Sequence, residues 1–451
     1  MKILKFGGTS VGTVEALRRC GSIIGQELPQ GGLVVVSALS GTTDTLLRAM
    51  TAAAKGDGAT AADLQTGLEA RHRALAETLG LSQALKPLWQ PLFQSLADLL
   101  KGMGLVGEAS PRSRDAVLAV GETLAARLLA AYLRHLGRPA AFRDVLEVMR
   151  TDGRHGRARP DRNALAEACG PWREALGRDA LWVTQGFLGL TDEGAVTTLG
   201  RGGSDTSATL LGEALGASEV QIWTDVDGVL SADPSLVAEA KLIPVMRLRE
   251  AAALSAFGAK VLHVDSLAPV GRSGLRLVVA NTHRPNGGRT EILARAPQRE
   301  PGEVTSVAYK EGVTCLRLDP AQEPDLFERL FQAASRLQEA GAALYGLLAT
   351  PDGGLLVARA ETPESAAVLK QLEASGLALE RGWAVVALVG EGLRTTQGQA
   401  LSLLAPLDGE PIAAILAGDT GVSFAFLIPE NRLAELVPKL HYHCVEKAVH
   451  S

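Results

Sequence analysis

The chain is poor in the features that would set it apart from an ordinary globular protein. Its four cysteines, Cys20, Cys169, Cys315 and Cys444, are scattered over 451 residues with no CxxC pair and no histidine cluster beside any of them. That spacing argues against a disulfide framework and against a zinc site, so no metal ligands are assigned. Basic charge is not in excess: 45 Lys and Arg face 50 Asp and Glu, a net charge of −5. A phosphate backbone needs a basic face, so nucleic acid is not an expected partner. No window approaches an uninterrupted apolar span of membrane length, and the N-terminus has no charged region followed by an apolar stretch and a cleavage site. The expectation is a cytoplasmic protein without a membrane partner. Apolar residues nonetheless make up 46% of the chain and charged ones 21%, a globular composition, and the length calls for two or three domains.

What is there begins with "MKILKFGGTSVG", Met1 to Gly12. A short apolar run is broken by two glycines, and "TVEALRRCGSIIGQEL" follows with helical spacing, Thr13 as N-cap and Glu15 in the first turn. Strand, tight glycine turn and helix N-terminus together form a site for phosphate or another anion, with Lys5 adding a positive charge at the strand end. A second cradle is "TTLGRGGSDTSATLLGEALG", Thr197 to Gly216. Three glycines surround Arg201, and Ser204-Asp205-Thr206 open a helix. It is neither a Walker A loop nor the dinucleotide GxGxxG. Two glycine loops with one cation each suit a ligand with two anionic ends, or two ligands meeting head to head. Phosphoryl transfer from ATP to a carboxylate is one such case, and needs donors and cations around the moving group and Mg²⁺ on the nucleotide.

Up to about residue 295, continuous apolar strands such as "LVVVSALSG" alternate with helical runs. This pattern indicates a mostly parallel sheet covered on both faces, with a helical excursion over 59–137. A Pro-, Gly- and charge-rich stretch (Arg284 to Glu303) reads as a linker, with its core at 296–303. Beyond it, two units each read β-α-β-β-α, a small ferredoxin-like sandwich. The expected division is a catalytic domain over 1–295, a first repeat over 310–380, and a second over 381–451 completed by the extra run 304–309. Such repeats suggest a regulatory or dimerising module.

"KFGGTSV", "TLGRGGSDTSA", "TDVDGV" and "FGAKVLH" in this order resemble the signature blocks of the aspartate kinases, in the amino-acid kinase superfamily. The resemblance covers the whole length, and the C-terminal repeats look like ACT domains. It implies a three-layer αβα fold followed by two βαββαβ ACT domains, and ATP-dependent phosphorylation of the β-carboxylate of L-aspartate, assisted by Mg²⁺. It further implies a homodimer or dimer of dimers through the ACT domains. By the resemblance, Lys5 is the catalytic lysine and Asp205 orients it. Gly7, Gly8, Thr9 and Ser10 give donors to the phosphates. Ser37, Thr43, Phe187, Gly202, Gly203 and Ser204 line the pocket, Glu122 pairs with the substrate ammonium and Arg201 grips a carboxylate, a task suited to its planar fork. Thr224, Asp225, Leu230, Lys260 and Val261 match positions contacting ATP. Taken singly, Glu122 would be a solvated helix carboxylate and Asp205 a first-turn residue favoured by the helix dipole. Two alternatives stay open: a same-fold kinase for another acid, and a catalytically weak amino-acid sensor.

Some positions depart from the pattern. Leu230 stands where an aromatic is common, Ser235 replaces an arginine after "DP", and Val264 replaces a proline. In the first repeat, "LRLDPAQEPDLFERLF" has no Gly-Phe pair, and "AALYGLLAT" has Leu344 or Tyr345 where lysine-inhibited members carry an acid. The expectation is weak or absent inhibition by free lysine, because a buried ammonium without a charge partner is costly. Asp319, Glu323 or Asp325 would supply that charge if the register differs.

Overall fold

The computed structural model describes residues 1–176, 180–258, 262–296, 302–319, 325–393, 399–417 and 420–446. These fall into two compact units. The first holds 1–229, 244–248 and 262–296; the second holds 230–243, 249–258 and the described residues from 302 to 446.

The first unit opens with β1 (Lys2–Phe6), α1 (Gly8–Val11), α2 (Val14–Glu27), β2 (Gly32–Val36) and α3 (Thr42–Ala54). Three long helices follow, α4 (Gly58–Thr78), α5 (Ser82–Val106) and α6 (Pro111–His135), the helical excursion expected from the sequence. Then come β3 (Ala140–Phe142), α7 (Arg162–Ala168), α8 (Gly170–Leu176), β4 (Leu181–Gln185), the hairpin β5 (Leu188–Leu190) and β6 (Val196–Thr198), α9 (Gly203–Leu215) and β7 (Glu219–Thr224). The remaining elements are β8 (Val245–Arg247), α10 (Leu248–Ala256, mostly in the second unit), α11 (Leu267–Ser273), β9 (Arg276–Asn281) and β10 (Arg289–Leu293). Eight strands form one sheet in the order β3-β4-β2-β1-β7-β9-β10-β8, parallel except where β9 meets β10. The interior strands β1 and β2 are buried along almost their whole length, which is why they read as continuous apolar runs. In α6, 25 residues are apolar enough to pass for a membrane span by length and composition, yet most of the helix is packed inside the unit. It is a core helix, and it carries two buried acids, Asp115 and Glu122.

The second unit is a six-stranded antiparallel sheet. Its strands are β11 (Ser306–Leu318), β12 (Ala343–Thr350), β13 (Gly353–Arg359), β14 (Ala378–Val389), β15 (Ala414–Ala417) and β16 (Ser423–Pro429), in the order β12-β13-β11-β14-β16-β15. Helices α12 (Leu326–Glu339) and α13 (Pro363–Ala374) serve the first repeat, and α14 (Gln399–Leu404) and α15 (Leu433–His441) the second. The expected boundary at residue 310 falls inside a single 13-residue strand. Its first half pairs with the end of β14 and completes the second repeat; its second half pairs with β13 in the first. A register shift between Lys310 and Cys315 marks the change of repeat. Each repeat keeps its own apolar cluster, one around Leu330 and Leu356, the other around Phe426 and Leu436. Ala232 and Val237 belong to the second cluster, so 230–243 folds with the C-terminal repeats although it lies within the expected catalytic stretch. Ser231 fixes it there: its carbonyl accepts from Val307 N–H at 2.8 Å, and its hydroxyl lies 2.8 Å from His441 Nε2.

Candidate active site

The first cradle grows from the end of β1. Gly7 is extended, and the expected tight glycine turn is one helical turn, Gly8–Val11. A side chain at Gly8 would bring its Cβ to 2.6 Å from the Ala38 carbonyl oxygen, so only glycine lets this loop lie against the turn after β2. Ser40 N–H closes the contact by donating to the Gly8 carbonyl at 3.1 Å. The amides of Gly8 and Thr9 open the helix and have no acceptor within it, the arrangement that receives an anion. Ser10 is turned inward, its hydroxyl 2.7 Å from that of Thr282, so its side chain is committed inside the protein. Thr13 caps α2 as expected, accepting from Ala16 N–H.

Lys5 is buried on β1, and its Nζ lies 2.6 Å from Asp205 Oδ1 in the first turn of α9. The second cradle leads into that turn. Gly200 and Gly202 have left-handed backbones, at φ +82° and +69°, and Arg201 is exposed between them. A Cβ on Gly203 would lie 2.6 Å from the Phe187 ring, and one on Gly186 would lie 2.8 Å from Ser204 Cα. Among the described residues Phe187 is the one non-glycine with positive φ, at +71°. Its N–H donates to Ser207 Oγ at 2.9 Å and its carbonyl accepts from Leu199 N–H at 2.9 Å. Backbone strain of this kind costs about 1–3 kcal/mol and persists where the surroundings over-determine it.

Glu122 faces inward from α6, almost wholly buried, with no partner for Oε2. Burial pushes its carboxyl up to about 8, against a hydrogen bond from the Ala38 backbone and the nearby charge of Lys5. The bond from Ala38 puts Glu122 at the turn against which Gly8 lies. A buried carboxylate with an unpaired oxygen is costly on its own and is stabilised by a cation that arrives with a ligand. Ser37 follows β2, its N–H donating to the Phe6 carbonyl at 3.1 Å, and Thr43 lies in the first turn of α3. Beside it, Thr42 is fully buried and its hydroxyl is also without a partner, which the sequence reading missed.

At the end of β7, Thr224 Oγ1 donates to Asp225 Oδ1 at 3.2 Å, and Asp225 is exposed. Asp227 accepts from Asn281 Nδ2 at 2.6 Å and pairs with Arg284. Leu230 falls in the second unit, where it bridges Leu242. Lys260 and Val261 lie outside the described residues. The structure thus brings Lys5, Gly7, Gly8, Asp205 and Glu122 together around the C-terminal ends of β1 and β2, where open α/β sheets bind ligands. Two further residues organise this region. Arg71 on α4 donates to the carbonyls of Ser40 at 2.7 Å and Gly12 at 3.4 Å, and Asp115 on α6 is a fully buried acceptor. The only sequence signal for Asp115 was an acid on an otherwise apolar helix face, seven residues before Glu122. Among the described residues no group of three or more His, Cys, Asp or Glu side chains stands ready for a metal ion.

The model of the amino acid kinase family matches residues 1–281. The lysine-sensitive aspartokinase 3 of Escherichia coli is 31% identical over 452 residues, spanning 98% of this chain and 99% of its own. An aspartokinase of Chlamydia trachomatis is 37% identical over 303 residues, 67% of this chain and 66% of its own. Among solved structures, E. coli aspartokinase III in complex with aspartate and ADP, in its R-state, matches with a TM-score of 0.84 at 30% identity, covering 98% of this chain and 99% of that one. The same enzyme in complex with lysine and aspartate, in its T-state, matches at 0.80 with the same coverage.

Proposed function

The chain belongs to the amino acid kinase family, as one of its aspartokinases, and from that premise we propose how its pocket moves a phosphoryl group from ATP to the β-carboxylate of L-aspartate. The product is 4-phospho-L-aspartate, at the first step toward lysine, threonine and methionine. The acceptor oxygen is already a carboxylate, so the protein need not remove a proton from it. Its work is positioning and charge stabilisation. Lys5 neutralises the charge that spreads over the transferring group's oxygens, and Asp205, 2.6 Å from its Nζ, holds it in place. The Gly8 and Thr9 amides receive phosphate oxygens. Glu122 takes the α-ammonium, and Arg201 takes a carboxylate with two parallel hydrogen bonds. The observation that carries this reading is the unpaired buried oxygen of Glu122 within reach of Lys5's charge. It is a socket for a cation beside a lysine poised for an anion.

Mg²⁺ fits the site as a companion of the nucleotide. Mg²⁺ is usually held by phosphate oxygens and one or two carboxylates, and Asp205 and the exposed Asp225 would be the carboxylates to hold it beside the phosphates. When bound, it supplies positive charge to the phosphates. A coupled assay of ADP release with aspartate, glutamate and N-acetylglutamate as acceptors tests the proposal. Aspartate-dependent turnover in the presence of Mg²⁺ is expected, and its absence would refute the reading.

The second unit is read as the seat of a homodimer. Strand β12 is a sheet edge bearing the exposed Leu344, Leu347 and Leu348, and α12 exposes Phe327 and Phe331 one turn apart. An apolar edge of this kind is a template for a second copy. Leu347→Lys is expected to shift the sedimenting species toward the monomer; an unchanged distribution would place the interface elsewhere.

A further inference from the structure

We infer that Asp115 is a positioning residue that fixes the separation between the two ends of the acceptor pocket, and through it the preference for a four-carbon over a five-carbon diacid. The inference rests on the reading that Glu122 and Arg201 hold opposite ends of the acceptor.

Asp115 is fully buried and its carboxylate is saturated. Oδ1 accepts from Thr198 Oγ1 at 2.7 Å. Oδ2 accepts from His155 Nδ1 at 2.8 Å, Gly156 N–H at 3.0 Å and Thr198 N–H at 3.2 Å. These four bonds join three pieces of chain that carry or abut the pocket. Asp115 shares a face of α6 with Glu122, two turns or about 10 Å further along. Thr198 ends β6, three residues before Arg201. His155 and Gly156 belong to a short hairpin closed by the Thr151–Pro160 bridge, in which Asp152 Oδ1 accepts from the backbone of Arg154 and Arg159.

The hairpin also braces the arginine loop. Ala158 N–H donates to the Thr198 carbonyl at 2.9 Å, and a Cβ on Gly200 would sit 3.0 Å from the Gly156 carbonyl oxygen. Gly200 therefore rests against the hairpin, and the hairpin rests on Asp115. A slide of α6 relative to the Arg201 loop would break all four bonds together. One carboxylate thus holds the helix bearing the ammonium site in register with the loop bearing the carboxylate site. Such support decides whether a pocket is held to a fraction of an ångström. One methylene in a substrate is worth only about 10–200-fold in discrimination, so a small loss of register is enough to erode it.

The test compares Asp115→Asn, His155→Ala and His155→Asn, each checked for folding by thermal melting. Asn at 115 keeps one acceptor oxygen and loses the other. Ala at 155 removes a single donor at a half-buried position, so this variant carries the test if Asp115→Asn does not fold. Asn at 155 restores an N–H donor near the position of Nδ1. The expected result is a KM for aspartate raised about tenfold in Asp115→Asn and about threefold in His155→Ala. KM for ATP should stay within twofold, and the ratio of kcat/KM for aspartate over glutamate should fall in parallel, with recovery in His155→Asn. An unchanged aspartate-to-glutamate ratio in folded variants, or equal losses for both substrates, overturns the inference. Arg201→Lys separates the two levels. If it leaves KM for aspartate unchanged, the assignment of pocket ends fails. If it raises that KM while the Asp115 and His155 variants do not, only the positioning role fails.

Discussion

Glu122 in the first unit, and Leu344 or Tyr345 in the second, stand where the family resemblance places an acid facing a ligand's ammonium, and the exposed Leu344 offers none. Glu122 keeps the acid, buried, with one oxygen unpaired and its carboxyl pushed up to about 8 by burial. At Tyr345 the acid is gone. Its ring stacks on Phe257, centroids 6.1 Å apart at 26°, and burial pushes its phenol up to about 12, so the position is neutral. The difference is instructive because a buried unpaired carboxylate destabilises a fold by several kcal/mol. That cost is tolerable where a ligand ammonium offsets it and pointless where none binds, and an aromatic stack then lies lower in free energy. On this comparison the proposed acceptor site keeps its acid, and the expectation for the second unit is weak or absent binding of free lysine.

The contrast should break most severely at Lys5, which in the proposed function supplies the charge at the transferring group. Lys5→Ala is expected to lower kcat by about 10³-fold or more with smaller changes in KM, since its charge matters chiefly in the transition state. Steady-state kinetics with a near-normal kcat would show that the backbone donors suffice. Glu122→Gln comes next, with KM for aspartate raised roughly 100-fold, as expected for removing one partner of a buried charge pair. The same substitution sharpens the pH behaviour. Because Glu122 must be ionised to take an ammonium, aspartate affinity of the free enzyme should rise with pH toward about 8, and Glu122→Gln should flatten that rise. Stability moves the other way. The folded carboxyl titrates above its unfolded value of 4.5, so between there and about 8 the native state holds more protons than the unfolded state. Its contribution is complete below that window and is lost as pH rises through it. The ligand-free melting temperature of wild type should therefore fall across the window relative to Glu122→Gln; parallel curves would contradict the shift.

Arg201→Lys keeps the charge but loses the fork, and should raise KM for aspartate about tenfold before KM for ATP moves. The opposite order would assign Arg201 to the phosphates. The smallest effect is expected in the second unit. Free L-lysine should bind weakly or not at all by calorimetry and leave activity unchanged. Sub-millimolar binding coupled to inhibition would mean that Asp319, Asp325 or Glu323, the last outside the described residues, replaces the missing acid.

Much of the site was legible because its parts are local. The glycines before α1 and α9, the cap at Thr13 and Lys5 at a strand end each depend on residues a few positions apart. What escaped the sequence depends on distant pairings. Asp115 meets partners 40 and 83 residues away, and nothing near it in the chain announces them. Strand β11 runs through an apparent boundary because both of its halves find partners on β14. Segment 230–243 joins the C-terminal repeats through Ala232 and Val237, whose apolar neighbours lie mostly beyond residue 300. The inward turn of Ser10 likewise needed Thr282, 272 residues on. Local spacing pointed to two anion cradles and the family resemblance supplied the residue roles, while long-range packing decided which elements carry them.

The most direct measurement is chemical capture of the product. An acyl phosphate on the β-carboxylate of aspartate reacts with hydroxylamine to give the β-hydroxamate and phosphate. Incubating the protein with ATP, Mg²⁺, L-aspartate and hydroxylamine should yield aspartyl β-hydroxamate in step with ADP, with Lys5→Ala yielding neither above background. ADP formation without hydroxamate, or hydroxamate formed as readily from glutamate as from aspartate, would contradict an acceptor pocket built around Glu122 and Arg201 for aspartate.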